Sequence, residues 1–265
     1  MCGGGLLFVP CSRVGHVYRL EGWGGNPPPE YVPSNPSFRN YRRVIDVWWD
    51  DWAKYFYWNR PELQKLDAGD ISEQIKFRED HCPYDFDWFM KEIAYGITEQ
   101  FDWPPELLAW GEIRGKGTNL CIDSMGHKDR DGNAQTWYCH KQVRLFTVLI
   151  YVYQKILKGG NQLWRLNDAN QIAQNLQCLY PTSAKDKLDI MHCKRVDSPD
   201  NDFKLQQNGQ LTYKDGCLTR KSNTEPGDLE IKRESYYMTH IINSFSACES
   251  DSDLQTWEVN EEAVF

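Results

Sequence analysis

The spacing of apolar residues divides this chain into two stretches of different texture. Leu6, Leu7, Phe8 and Val9 form a short apolar run between a glycine cluster and Pro10, which predicts a buried strand. Residues 20–37 follow with five prolines and three glycines, a composition that excludes regular structure. Over residues 38–58, Val44, Ile45, Trp48, Trp49, Trp52, Tyr55 and Phe56 recur at helical spacing. They predict one helix with a wide aromatic face, ended by Arg60-Pro61. Asp70-Ile71-Ser72-Glu73 reads as a capping box that opens a second helix reaching Glu79. Phe86, Phe89, Met90 and Ile93 predict a third, short amphipathic helix, and Pro104-Pro105 marks residues 101–109 as a linker.

After Trp110 the pattern changes to short apolar runs separated by frequent turns. Asn119-Leu120-Cys121-Ile122-Asp123, Gln177-Cys178-Leu179 and Asp215-Gly216-Cys217-Leu218 open three similar units. Gln162-Leu163-Trp164 recurs near the end of the first unit and Gln255-Thr256-Trp257 near the end of the third. A repeat of about forty to fifty residues is the mark of a fold built by internal repetition.

At 265 residues the chain can hold one large or two small domains. A formal charge of -8 and a pI near 5.3 argue against nucleic acid or an anionic membrane as the main partner. Arg39, Arg42 and Arg43 cluster on the predicted first helix beside acidic residues and read as a solvated face. Nine cysteines without any C-x-x-C spacing argue against a zinc knuckle or a thioredoxin-type motif and fit disulfides. The odd number leaves one sulfur over. The N-terminus does not read as a signal peptide, and no apolar run reaches the roughly 20 residues that span a bilayer.

The end of the first predicted strand delivers His16 and Arg19 to a cleft, where an imidazole can bind a divalent metal and a guanidinium a phosphate. A structural histidine is the alternative. The loop over 20–37 would serve there as a lid, or simply as a surface connection. The Asp-x-Asp words offer no second metal site. Asp85-Phe86-Asp87 sits at a helix start, and Asp129-Arg130-Asp131, Asp200-Asn201-Asp202 and Asp251-Ser252-Asp253 lie in polar, turn-like stretches. An EF-hand over Asp129 to Asn133 fails because Gly132 is misplaced.

The words CGGGLLFVPCSRVGHVYR (2–19) resemble the final catalytic strand of the polypeptide N-acetylgalactosaminyltransferases, the enzymes that start mucin-type O-glycans. The resemblance continues through YRRVIDVWWDDWAKYFYWNRPE (41–62), GDISEQIKFREDHC (69–82), WFMKEIAY (88–95) and WGEIRG (110–115), nearly the whole chain. HVYRLEGWGGNPPPEYV and KFREDH are similar to a subgroup that prefers peptides already carrying GalNAc. The architecture it implies is α/β plus all-β. Residues 1–100 would be the C-terminal part of a GT-A, Rossmann-like catalytic domain, 101–109 a linker, and 110–262 a ricin-type β-trefoil lectin domain. It also implies UDP-GalNAc as donor, peptide or GalNAc-glycopeptide acceptors, Mn²⁺ as cofactor, and a Golgi location with a membrane anchor that this sequence does not contain.

By the same resemblance His16 is one Mn²⁺ ligand and Arg19 a contact of the nucleotide diphosphate. The Asp-x-His pair that holds the other two ligand positions in the family does not occur here, so no catalytic set is complete. Transfer by this chain alone is not expected, and a GalNAc-binding lectin without catalysis is the alternative function. A remnant with neither activity is a third reading. The implied disulfides are Cys2–Cys82, Cys121–Cys139, Cys178–Cys193 and Cys217–Cys248, with Cys11 left over.

Sugar recognition in ricin-type repeats implies Asp123 of the first C-[IL]-D word, with His140 and Asn161 as partners; a turn aspartate is the alternative for Asp123. Tyr180 and Thr219 stand at the aspartate's position in the other two repeats, which read as scaffold. One departure bears on that site. Residues 141–158, KQVRLFTVLIYVYQKILK, are an apolar, β-branched insertion unlike the polar trefoil around them, either a retained intron read in frame or an extra hairpin. Leu145 to Tyr153 within it is an aggregation-prone strand.

Overall fold

The structure is a computed structural model that describes residues 1–5, 9–12, 15, 36–140, 161–182, 187–232, 248–249 and 252–262. His16 and Arg19, Leu6 to Phe8 of the predicted strand, the candidate lid up to residue 35 and the insertion over 141–158 lie outside the described residues. The chain divides into two units, Met1–Phe101 and Asp102–Phe265.

In the first unit the helical period is present in pieces. α1 (Pro36–Trp48) starts two residues before the predicted helix, and Pro36 suits a first helical position because its missing N–H has no partner there in any case. The single helix predicted over 38–58 is broken. A 3₁₀ turn (Asp50–Trp52) separates α1 from α2 (Ala53–Asn59), and Asp50 takes a φ of 47°, the left-handed region that few non-glycine residues occupy. The break is held from a distance. Asp50 Oδ2 accepts hydrogen bonds from Arg78 Nη2 at 2.5 Å and from the Phe86 amide at 3.1 Å.

The arginine cluster is only partly a solvated face: Arg39 is exposed, whereas Arg42 and Arg43 are half-buried. Arg43 Nη1 donates to the Ala68 and Asp70 carbonyls, Arg39 Nε to Ala68, and Arg42 to the Leu63 and Gln64 carbonyls and to Asp46. These guanidiniums bond to carbonyls of the 3₁₀ helix Pro61–Lys65 and of the irregular segment that follows it. α3 (Ser72–His81) runs two residues past Glu79, with Asp70 Oδ1 accepting from both the amide and the hydroxyl of Ser72. The third predicted helix is α4 (Phe86–Trp88), capped by Asp85, continued by a π turn (Phe89–Ile93) and by α5 (Tyr95–Gln100). Cys2–Cys82 ties the N-terminus to the end of α3. Val9 is 56% exposed and lies in a turn closed by Ser12 N–H to the Val9 carbonyl, so it is not a core strand residue. Among the described residues of this unit there is no strand to pair with it.

The second unit is the β-trefoil. Its strands fall into three sets: β1 (Leu107–Gly115), β2 (Leu120–Asp123), β3 (Gln135–Tyr138) and β4 (Leu163–Asn167); β5 (Ile172–Gln174), β6 (Gln177–Pro181), β7 (Leu188–His192) and β8 (Phe203–Leu205); β9 (Leu211–Tyr213), β10 (Gly216–Arg220), β11 (Gly227–Lys232) and β12 (Trp257–Glu262). β1 begins inside the predicted linker, because Leu107 is buried and pairs with Asn167 on β4. All neighbours are antiparallel, in the order β7-β6-β5-β4-β1-β2-β3-β11-β10-β9-β8, with β12 on β1.

The repeats supply equivalent core residues. Ile113, Ile172 and Leu211 open them, Ile122, Leu179 and Leu218 follow the first cysteine of each, and Trp164, Phe203 and Trp257 close them in one cluster. The second repeat therefore has its own closing word, Asn201-Asp202-Phe203, which stands where the others have Gln-x-Trp. Cys121–Cys139, Cys178–Cys193 and Cys217–Cys248 each brace one repeat, while Cys11 is exposed and outside the pairs.

The third repeat is locked by a fully buried arginine. Arg220 lies over the Trp257 ring at 5.1 Å and donates to Asn223 Oδ1 at 2.9 Å and to the carbonyls of Thr256 and Asp253. A Cβ at Gly115 would stand 2.7 Å from its guanidinium carbon. Gly115→Ala should therefore cost about 1–3 kcal/mol by overpacking, read as a lower denaturant midpoint of the trefoil, whereas Gly117→Ala meets open space and is disfavoured by backbone conformation alone.

A second expectation concerns acid. The hydrogen bond from Arg78, and then the Phe86 amide, hold the Asp50 carboxyl below its ordinary value of 3.8. A depressed folded value means that its contribution is present above the unfolded value and is lost as pH falls through the folded one. Asp50→Asn should lower stability at neutral pH, and the difference from the parent chain should shrink as a pH-dependent melting series passes below 3.8.

Candidate carbohydrate-binding site

The site grows out of a contact that recurs in each repeat. In the first, Gln162 Nε2 donates to Asp123 Oδ2 at 2.7 Å and to the Tyr138 carbonyl at 3.0 Å, while its Oε1 accepts from the His140 amide at 2.7 Å. The adjacent Trp164 fixes the backbone by donating Nε1–H to the Ile122 carbonyl. One amide side chain thus sets the end of β2, the end of β3 and the residue after the second cysteine. The third repeat repeats the arrangement: Gln255 donates to Thr219 Oγ1 and accepts from the Glu249 amide, and Trp257 donates to the Leu218 carbonyl. In the second, Tyr180 donates its hydroxyl to Asn201 Oδ1 and accepts from the Lys194 amide.

The repeats differ in the polar group they offer at this position. Asp123 is an ionisable acceptor with four lone-pair directions, of which the Met125 amide at 2.7 Å and Gln162 each take one. Tyr180 fills the same position with a ring and spends its hydroxyl on the clamp. Burial pushes the Tyr180 phenol above its ordinary value, with the Asp200 charge adding to this, so it stays a neutral donor. Thr219 offers a short hydroxyl already bonded to Gln255 and to the Cys217 carbonyl.

The structure brings His140 to Asp123, with Nε2 3.9 Å from Oδ2. Asn161 is beside them as well, its carbonyl accepting from the Ser124 amide at 2.8 Å. Asp123 is itself only 2% exposed. Ile122 belongs to the core cluster, so strand alternation turns Asp123 to the outer face of the sheet. Directly opposite residues share a face, and β2 pairs Cys121 with Trp137 and Asp123 with Gln135. Trp137 therefore stands on Asp123's face, two residues from Gln135 and 42% exposed. Its signal was the period of two along β3, with Thr136 buried and Trp137 out.

The row continues onto the next strand. β11 pairs Asp228 with Gln135, whose Nε2 donates to Asp228 Oδ1 at 3.0 Å. Lys221 Nζ at 2.9 Å and Lys187 Nζ at 3.3 Å meet on Asp228 Oδ2, and the Lys221 hydrogen bond, followed by that of Lys187, holds the Asp228 carboxyl below its usual range.

The described residues do not fit a manganese site. One group of candidate ligands comes together, Glu112 with Cys121 and Cys139, and its sulfurs form a disulfide with no thiolate to offer. No Asp-x-His occurs in the sequence, and His16 lies outside the described residues.

A family model described as a ricin-type beta-trefoil lectin domain matches residues 109–237. N-acetylgalactosaminyltransferase 7 of Homo sapiens is 46% identical over 259 residues, which cover 98% of this chain and 35% of that protein. The protein of the same name from Drosophila melanogaster is 38% identical over 210 residues, 75% of this chain and 31% of its own. A crystal structure of GalNAc-T7 with UDP, GalNAc and Mn²⁺ superposes with a TM-score of 0.76 at 43% identity, over 98% of this chain and 42% of that one. The chain thus spans well under half the length of the relatives it matches. Similarity that runs through the helical unit and the trefoil alike means that this chain belongs to the polypeptide N-acetylgalactosaminyltransferase family.

Proposed function

We propose that this chain serves a UDP-GalNAc:polypeptide N-acetylgalactosaminyltransferase as its GalNAc-binding lectin part. Its helical unit would be the C-terminal part of a GT-A catalytic domain, and retaining transfer of GalNAc to Ser or Thr would need residues this chain lacks. The observation that carries the reading is the grouping of Asp123, His140 and Asn161 beside Trp137 in the one repeat with a carboxylate at this position. A carboxylate and an amide can hold adjacent sugar hydroxyls while an indole packs the apolar face of the ring. Gln162 fixes the carboxylate before the sugar arrives, which reduces the ordering cost of binding. The ligand class is a GalNAc-bearing glycopeptide. A Golgi lumen location goes with this reading, and four disulfides suit such an oxidising compartment.

Manganese does not enter the role proposed for this chain, whose residues do not complete a site for it. Incubated with UDP-GalNAc, Mn²⁺ and an acceptor peptide, the chain should form no GalNAc-peptide detectable by mass spectrometry, and product formation would overturn that part of the proposal. Calorimetric titration should show binding of a GalNAc-threonine peptide and none of the unglycosylated peptide. Asp123→Asn should weaken that binding by about tenfold or more, the scale of a charged hydrogen bond. Trp137→Ala should weaken it too, with the thermal midpoint of each variant measured alongside. Undiminished affinity in a folded Asp123→Asn protein would reject the site.

A further inference from the structure

The outer face of the trefoil carries more than a pocket for one sugar. Asp123, Gln135 and Asp228 form a single cross-strand row over β2, β3 and β11, all on one face. Neighbouring strands lie about 4.8 Å apart, so Asp228 stands about 10 Å from Asp123, a span that a GalNAc ring and an adjacent acidic side chain or second sugar ring cover together. At that distance the row ends in a cluster held from all three repeats: Gln135 from the first, Lys187 from the second, and Asp228 and Lys221 from the third. The exposed end of this cluster is cationic. The Lys221 side chain is 58% exposed, against 26% for Asp228 beneath it.

We propose that Lys187 and Lys221, set by Asp228 and Gln135, form an adjoining subsite that takes a carboxylate next to the GalNAc bound at Asp123. The proposal rests on the GalNAc reading of Asp123. The carboxylate could come from an acidic side chain beside the glycosylated residue or from a carboxylated sugar attached to GalNAc. In both cases the ammonium groups supply the attraction, Gln135 spans the gap between the two positions, and Asp228 keeps both lysines on the row.

The test is titration of the full chain with three glycopeptides: one with Glu on each side of the GalNAc-threonine, one with Gln in both places, and one neutral peptide whose GalNAc carries a carboxylated sugar. At low salt at least one carboxylate ligand should bind about threefold to fivefold tighter than the Gln peptide, the scale of an exposed ion pair. That advantage should fade as ionic strength rises. In the Lys187→Gln/Lys221→Gln double variant the ratio of acidic to neutral affinity should fall to one or below, because Asp228 then repels the ligand, and Lys187→Arg/Lys221→Arg should restore it. The acidic ligand with the advantage identifies the source of the carboxylate. Equal affinities for all three ligands in the parent chain would overturn the subsite and leave the Asp123 site standing. No binding of any GalNAc ligand would overturn both. If the double variant does not fold, the salt series on the parent chain decides: an advantage that does not depend on salt overturns the proposal.

Discussion

The trefoil depends on one buried amide per repeat, placed where three segments would otherwise leave polar backbone groups without partners. Gln162 and Gln255 each accept from the amide after a second cysteine and donate to the side chain two residues after a first cysteine. Both have no exposed surface, and a buried amide left unpaired costs more than the bond itself contributes. The pair of segments that such a glutamine joins is also joined by a disulfide, so covalent bond and hydrogen bond fix the same corner. Function enters as a change of one member. Where the partner is Asp123, the corner holds a carboxylate that accepts from Gln162 and the Met125 amide, the acceptor on which the proposed sugar site rests; where it is Tyr180 or Thr219, a hydroxyl takes that place.

A second buried layer shows the same logic and one exception. Gln171 and Gln210 immediately precede the core residues Ile172 and Leu211, and they donate to the carbonyls of Lys194 and Glu249, the residues whose amides the first layer holds. Those residues therefore have both backbone groups tied. The first repeat has Glu112 before Ile113, a buried carboxyl where the other two have an amide. Glu112 instead meets Arg114 Nη2 at 3.5 Å. The repeat that carries the candidate sugar site thus departs from its siblings at two buried positions, and both departures put carboxylate where the scaffold has a neutral group.

Much of this was legible in the chain. The cysteine words and the Gln-x-Trp words mark a repeat because their side chains make fixed bonds to fixed partners, and such bonds tolerate few residue types. The second repeat's closing word was missed for the converse reason. Asn201 makes its own bonds, to the Arg195 carbonyl and to the Tyr180 hydroxyl, and Phe203 fills the core without an N–H to donate, so neither residue resembles its counterpart in sequence. Trp137 was hidden by its neighbour. Trp137-Tyr138 reads as one aromatic pair until the register of β3 shows that only the first shares Asp123's face. The break at Asp50 was not legible at all, since Trp49 to Ala53 continues the helical period. Its cause lies in Arg78 and Phe86, about thirty residues away, as a remote contact can override local preference.

That override distinguishes the two units. The trefoil core gathers residues from all three repeats, and burial of apolar surface supplies its cohesion. In the helical unit, Ile45, Val47, Tyr57, Pro61 and Leu63 are the buried apolar residues among the described ones. Around them lie packed rings, with Trp49 stacked on Phe86 at 5.1 Å and Tyr84 on Trp88 at 4.2 Å, the Cys2–Cys82 disulfide, and directed bonds: guanidiniums on backbone carbonyls, Asp46 between Arg42 and the Tyr57 hydroxyl, and Asp50 between Arg78 and the start of α4. Directed bonds specify geometry more narrowly than apolar contact does, but each contributes little net free energy once water is counted. The helical unit thus draws its order from rings, a disulfide and directed bonds together, whereas the trefoil's cohesion lies in one apolar core shared by its three repeats.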